Sequence, residues 1–385
     1  MKISSLFSDF FHSEKAGGVV LIVCTAVSLI LANSALGEQY IHFWHSNLAG
    51  NSIEYWINDG LMAIFFLLIG LELEREIYKG ELSNIKDAML PVAGALGGML
   101  VPAAIFLLFN YNTPEKSGAG IPMATDIAFA LGILSLLGNK VPTSLKVFLT
   151  ALAVIDDLGA ILVIAIFYSG GLAWGYLLGA MAIWGGLFIL NRMKFHGWLP
   201  YLLGGVAMWY CMLHSGVHAT IAGVLLAFVI PFGDGSTKTL SYRLQHTLHK
   251  PVAFIIMPVF ALANTAINIQ GSFTEIFEHH YSAGIAAGLI AGKPLGIFLL
   301  SFIAVKAGLC KLPDDLGWKE IIGVGFLGGI GFTMSIFITL LAFDNTAVIN
   351  NAKIIILVSS LIAGLIGYIS LKLILKKQYE EEISE

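Results

Sequence analysis

The sequence predicts an all-α, polytopic membrane protein of about twelve spans, and three observations carry that expectation. Hydrophobic residues fill 57% of the 385 positions and charged residues only 12%, against roughly a quarter charged in an ordinary soluble domain. Long stretches without Asp, Glu, Lys or Arg recur along the whole chain. The Lys and Arg residues fall almost entirely on one set of alternate loops. Only helices are expected in the spans, because backbone exposed to lipid must satisfy its hydrogen bonds internally.

The charge-free stretches are 16–37, 88–114, 158–191, 195–233, 251–274, 321–343 and 354–371. A span needs about 20 residues, so 195–233 is read as two helices broken at His214-Ser215-Gly216. Four more spans carry isolated charges: about 55–78, 119–138, 143–169 and 281–306. The stretch 158–191 completes the third of these and supplies a further helix after Gly170-Gly171. The first apolar run follows Lys2 and Lys15. It is long enough to span and is read as a retained helix rather than a cleaved signal with its site near Ala32–Ser34.

With loops alternating between the two faces of the membrane, one side holds Lys2, Lys15, Arg75, Lys79, Lys86, Lys140, Lys146, Arg192, Lys194, Lys238, Arg243 and Lys250, followed by Lys306, Lys311, Lys319, Lys372, Lys376 and Lys377. The remaining basic residues are Lys116 and Lys353 on the other side and Lys293 in mid-span. The excess of positive charge marks the cytoplasmic side, so both termini are expected there. The net charge of −4 argues against a nucleic-acid partner. No G-x-x-x-x-G-K-[ST] string is present, so ATP is not the expected energy source. Cys24, Cys211 and Cys310 lack metal-ligand spacing and are read as apolar fillers. The acidic tail at Glu380-Glu381-Glu382 and Glu385 reads as a solvated end.

An ionisable side chain inside a span costs roughly 2.5–3.5 kcal/mol even on a lenient scale, so it needs a partner or a task. Asp156 and Asp157 are adjacent in Ala-Val-Ile-Asp-Asp-Leu-Gly-Ala, near the middle of the fifth span. Neighbouring helix positions point about 100° apart, so the two cannot face the same neighbour. Lys293 is the sole charged residue between Glu278 and Lys306 and calls for a carboxylate partner. Asp126 follows Gly118, Gly120 and Pro122, in a span expected to unwind. Its counterpart is the glycine-rich eleventh span, Gly323-Val-Gly-Phe-Leu-Gly-Gly-Ile-Gly331-Phe-Thr-Met-Ser335. Two interrupted spans in corresponding positions point to an ion site in a transporter built from repeats, where a carboxylate would balance exposed helix N-termini.

Gly284, Gly288, Gly292 and Gly296 recur every four residues and read as close packing that brings Lys293 near the fifth span. His218 reads first as a hydrogen-bonded packing residue and second as a group titrating near neutral pH. Asp59 reads as interfacial. Glu72, Glu74, Arg75 and Glu76 read either as a solvated helix end or as a pH-responsive network.

At these residues the chain resembles the NhaA-type Na⁺/H⁺ antiporters. The strings that carry the likeness are Trp56-Ile-Asn-Asp59, Phe65-Phe-Leu-Leu-Ile-Gly-Leu-Glu72, Ala124-Thr-Asp-Ile-Ala-Phe-Ala-Leu-Gly132, Asp156-Asp157-Leu-Gly-Ala, Ser215-Gly-Val-His-Ala-Thr220 and Lys293-Pro-Leu-Gly296. That family is a known example of inverted repeats, and the resemblance implies two of them here, at about 88–169 (spans three to five) and about 281–375 (spans ten to twelve). Spans four and eleven would be broken and would cross; spans one, two and six to nine would form the scaffold.

The resemblance further implies that Asp156 and Asp157 bind the transported Na⁺ and the protons, Asp157 being the more central ligand. Lys293 would pair with the first aspartate and could carry a proton. Asp126 and Thr125 would compensate dipoles at the helix crossing, and Glu72, Arg75, Glu76 and His246 would form the pH-response group. The implied activity is electrogenic, pH-dependent Na⁺/H⁺ and Li⁺/H⁺ antiport in a bacterial inner membrane. It is not enzymatic and needs no cofactor.

Two departures stand out. The family often has a glutamate just before His246, where this chain has Gln245. It also often dimerises through a β-hairpin between spans one and two, whereas 38–53 shows no clear pair of alternating strands, so a homodimer rests on the resemblance alone. Two other readings compete with exchange. A sodium-coupled solute symporter would use the same broken helices but needs more polar residues to line a substrate pocket. An intramembrane aspartyl protease would place its aspartates on separate helices, and the nearest look-alike, Pro231-Phe-Gly-Asp234, lies in a loop.

Overall fold

The computed structural model describes residues 5–195, 197–269 and 273–384, with side chains described for most of 16–376. Lys2 lies outside the described residues, and Lys15, Lys86, Lys377 and the acidic tail lie outside the described side chains. The chain is a polytopic helical membrane protein. Among the described residues, seven helices are long and apolar enough to span: Ile53–Lys79, Ala88–Asn110, Thr143–Phe167, Trp174–Arg192, Leu240–Asn264, His280–Lys306 and Thr346–Lys376. Three helix pairs meet the same requirement across a break: Ala16–Ala32 with Gly37–His45, bent by 114°; Pro114–Met123 with Ile127–Leu136, bent by 40°; and Trp318–Gly328 with Phe332–Ala342, bent by 49°.

Three local features differ from the sequence reading. Residues 47–52 do form a hairpin, with Asn47 opposite Ser52 and Leu48 opposite Asn51. Strands of two residues leave no alternation to read. The turn depends on Ala49 at φ 52° and Gly50 at φ 97°, and Asn47 Oδ1 accepts the Gly50 N–H at 2.9 Å. Secondly, the segment after Gly216 is not one long helix. Only Ile221–Ala227 is helical, with turns on either side. Gly216 sits at φ 83°, and Pro231 has no N–H with which to extend a helix. Thirdly, among the described residues, single π-helical turns interrupt three spans, at Ile57–Leu61, Val252–Ile256 and Gly288–Gly292. Such turns are rare and concentrate near functional sites, and the last one leads directly into Lys293.

The fold divides into two compact units. One comprises 1–22, 84–160 and 269–385; the other comprises 23–83 and 161–268. In the second unit, Ile53–Lys79 packs against Ile221–Ala227 so closely that a Cβ on Gly223 would lie 2.1 Å from the Ala63 carbonyl oxygen. Leu187, Tyr201, Met208, Met212 and Leu226 fill the core beside them.

In the first unit the glycine series on His280–Lys306 is a contact face. Its partner is Ile85–Asn110 rather than the fifth span directly. Gly284 meets Asn110 and Phe106, Gly288 meets Pro122 and Pro102, Gly292 meets Pro102, and Gly296 meets Gly97. At the last crossing the backbones nearly touch: a Cβ on Gly296 would lie 2.0 Å from the Gly97 carbonyl oxygen. Backbone cannot yield as a side chain can. Gly296→Val is therefore expected to lower the thermal unfolding midpoint of the detergent-solubilised protein, with an overpacking cost of about 1–3 kcal/mol or more. An unchanged midpoint would contradict this contact.

Candidate ion-binding site

In the first unit, the buried Asp126, Asp156 and Lys293 make their contacts at or beside the two helix breaks. In the first break, Pro122 lies in the tight helix Pro114–Met123, and Ala124 and Asp126 take extended conformations. The second break occupies Gly329 to Gly331, between helices ending at Gly328 and starting at Phe332. Both interruptions leave helix termini in the protein interior, with N–H groups and carbonyls that no helical bond satisfies.

Asp126 serves both N-termini. Its Oδ1 accepts the Phe129 N–H at 3.0 Å and so caps Ile127–Leu136. Its Oδ2 accepts the Thr333 N–H at 3.1 Å and the Thr333 hydroxyl, and so caps Phe332–Ala342. The Asp126 N–H donates to the Ile330 carbonyl at 2.6 Å. One carboxyl group thus faces two positive helix ends of about half a charge each. Asp126 is 1% exposed.

Lys293 stands among the opposite poles. Its ammonium donates to the Met123 carbonyl, at the C-terminal end of Pro114–Met123, and to Asp156 Oδ2. Thr125 Oγ1 lies 2.6 Å from the same Asp156 oxygen and 2.9 Å from the Gly328 carbonyl oxygen. A hydroxyl has one hydrogen, so Thr125 can serve only one of these acceptors at a time. Asp156 Oδ1 has no hydrogen-bond partner among the described residues. Asp157 follows on the same helix and is equally buried, at 2% exposure against 1% for Asp156. Beneath them Gly159 makes room for the Met99 thioether, which a Cβ would meet at 2.0 Å.

Thr125, Asp126, Asp156, Asp157 and Lys293 are therefore grouped in one unit. The pH-response candidates lie in the other, around the end of Ile53–Lys79. Arg75 Nε donates to Gln245 Oε1 at 2.6 Å, and its guanidinium lies 4.6 Å from the Tyr242 ring centroid. Glu72 Oε1 is 3.8 Å from His249 Nδ1. Glu76 Oε2 accepts the Glu81 N–H at 3.1 Å. His246 is exposed and stacks on Tyr242. Glu74 is buried, with Oε2 3.5 Å from Ser241 Oγ, so the solvated-end reading does not hold for it. His218 Nε2 lies 2.9 Å from the Tyr168 carbonyl, and an acceptor there requires the hydrogen on Nε2. Asp59 offers its backbone carbonyl to Trp209 Nε1 at 2.9 Å.

Several participants escape a reading of the sequence. Thr333, His249 and the carbonyls of Met123 and Gly328 carry no charge or no distinctive spacing. The one available signal for Thr333 is that it is a polar residue in a mostly apolar span.

The sequence profile described as Na⁺/H⁺ antiporter 1 matches residues 8–371. The chain belongs to that family. Among similar members of this antiporter family is the Na(+)/H(+) antiporter NhaA of Flavobacterium psychrophilum, 70% identical over 376 residues, covering 98% of both chains. That of Cytophaga hutchinsonii is 63% identical over 385 residues and 100% of both. Among solved structures, the sodium proton antiporter MjNhaP1 from Methanocaldococcus jannaschii at pH 8 aligns with a TM-score of 0.50 over 99% of this chain and 98% of its own, at 16% identity. At that identity the likeness concerns the antiporter fold alone.

Proposed function

We propose that the protein exchanges Na⁺ for protons across a bacterial inner membrane, with Asp156 and Asp157 as the shared carriers. One observation supports this above the others. Asp156 presents one oxygen to Lys293 and Thr125, while its other oxygen has no hydrogen-bond partner among the described residues, and a second buried carboxylate follows it. A buried carboxylate oxygen without a partner is costly. A proton or a small hard cation relieves that cost, and both use the same lone pairs, so the two compete.

Na⁺ takes oxygen ligands, and Asp157 and Asp156 would supply carboxylate oxygens to it. Proton uptake at the pair then displaces the cation on the side where protons are plentiful. Lys293 or Asp156 carries the second proton. Two protons against one Na⁺ make the cycle electrogenic, so the membrane potential and the proton gradient both drive Na⁺ outward. Li⁺ is also hard and smaller, and would use the same oxygens.

The full topology proposed is twelve spans with both termini cytoplasmic, supported by the asymmetry of Lys and Arg. Inverted repeats at about 88–169 and 281–375 are supported by the grouping of 84–160 with 269–385 in one compact unit. Glu72, Arg75, Glu76 and His246 are the proposed pH-response group, with the neutral Gln245 as a partner of Arg75. The 47–52 hairpin would supply a homodimer contact.

The test uses energised inside-out vesicles from an antiporter-deficient bacterium expressing this chain, with a dye reporting the pH gradient. NaCl is expected to collapse the gradient and KCl is not. On the acid side, the half-saturating Na⁺ concentration should rise about tenfold per unit fall in pH for each competing proton. Absence of a Na⁺ response from mildly acidic to alkaline pH, with the protein present in the membrane, would reject exchange and direct attention to solute uptake. A Na⁺ response with a pH-independent half-saturating concentration would reject shared carboxylates.

A further inference from the structure

The turn that breaks the eleventh span is held from both sides, by Asp126 on one and by Ser360 on the other. Ser360 lies on the helix Thr346–Ser384 and is 6% exposed. Its Oγ accepts the N–H of Gly331 at 3.2 Å and the N–H of Phe332 at 3.1 Å. Nearly every polar backbone group of the turn then has a named partner. The Gly328 carbonyl faces the Thr125 hydroxyl, the Ile330 carbonyl accepts from the Asp126 N–H, and the Thr333 N–H reaches the Asp126 carboxylate.

Packing supports the same contact. Ser360, Ala363, Gly364 and Gly367 recur at the three- and four-residue spacing of one helix face. A Cβ on Gly329 would lie 3.3 Å from Ala363 Cβ, one on Gly364 would lie 3.3 Å from Ile330 Cδ1, and one on Gly367 would lie 3.1 Å from the Leu327 nitrogen. This face therefore lies directly against the break, and Ser360 is its hydrogen-bonding member.

We propose that Ser360 is a positioning residue for ion exchange, its hydroxyl oxygen holding the 329–332 turn so that the Gly328 carbonyl and Thr125 keep their arrangement on Asp156. This rests on the exchange reading above. Without that oxygen, the Gly331 and Phe332 N–H groups must seek another acceptor. The nearby carboxyl acceptor is Asp126, already divided between Phe129 and Thr333. Any shift of the turn moves the Gly328 carbonyl and changes which acceptor the Thr125 hydroxyl serves. Asp156 would feel that change although Ser360 does not touch it.

The experiment compares Ser360→Ala and Ser360→Thr with wild type in two ways. Vesicle assays give the half-saturating Na⁺ concentration, and amide hydrogen exchange on the purified protein reports peptides covering 328–336. Ser360→Ala is expected to raise the half-saturating Na⁺ concentration about fivefold, the scale of one lost hydrogen bond, and to speed exchange in those peptides. Ser360→Thr, which keeps a hydroxyl, should restore both.

A purely structural role would lower the amount of protein and the maximal rate, leaving the half-saturating concentration unmoved; that outcome overturns the proposal. Wild-type Na⁺ dependence and wild-type amide exchange in Ser360→Ala overturn it as well. If Ser360→Ala does not reach the membrane, Ser360→Cys takes its place, with the same shifts expected and the same absence of shifts decisive. If the wild-type protein itself shows no Na⁺ response, the exchange reading falls, and amide exchange alone then decides whether Ser360 holds the turn.

Discussion

Asp157→Asn is expected to abolish the Na⁺-driven collapse of the pH gradient while leaving the amount of protein in the membrane near wild type. Asparagine keeps the size of the side chain and can still hydrogen bond, so the packing around a residue that is 2% exposed survives. What disappears is the negative charge. An amide neither takes up a proton near neutral pH nor neutralises a dehydrated Na⁺, so both halves of the proposed cycle stop at once. Altering an outer partner of a bound ion typically costs 10–100-fold in affinity, and loss of a direct ligand should reach about a hundredfold or more. Near-normal exchange by a well-expressed Asp157→Asn variant would show that Asp157 is not a carrier.

Lys293→Met should produce the largest loss of stability that leaves no clash behind. Methionine fills much of the lysine volume and removes the ammonium. Lys293 is fully buried, and its contacts are to Asp156 and the Met123 carbonyl. Removing one member of a buried ion pair costs about 3–5 kcal/mol, because the other charge is left uncompensated. Asp156 can recover part of that by binding a proton, so the loss should be smaller in acid than in alkali. The thermal unfolding midpoint of purified protein at two pH values measures this. An unchanged midpoint at alkaline pH would mean that the pair contributes nothing to the fold.

The site is partly legible in the sequence because burial makes charge conspicuous. Asp126, Asp156, Asp157 and Lys293 each stand in an apolar run, and that alone singles them out. The two breaks are legible for a similar local reason: Pro122 and the glycines from Gly323 to Gly331 oppose a continuous helix in chain that must otherwise be helical. The hairpin at 47–52 is not legible, because two-residue strands carry no pattern. The shortness of Ile221–Ala227 is hidden because hydrophobicity does not record where a helix begins to turn. Glu74 misleads because its neighbours in sequence are charged, whereas its burial depends on Leu240–Asn264 packing beside it.

The sequence by itself determined the class of protein, the approximate placement of its spans, their two interruptions and the charges buried within them. All of these follow from composition and from features a few residues long, which lipid and helix geometry constrain directly. Residue patterns alone left the partners open; the family resemblance implied Lys293 with the first aspartate and Asp126 and Thr125 at the crossing, and the tertiary structure supplied the contacts themselves. It set Lys293 on Asp156, 137 positions away, and Thr125 between Asp156 and Gly328. It also divided Asp126 between two helix ends, placed Ser360 under the turn, and turned the glycine face towards Ile85–Asn110. A hydrogen bond has a reach of about 3 Å, so each pairing depends on how whole helices cross, and no local pattern in the chain encodes that.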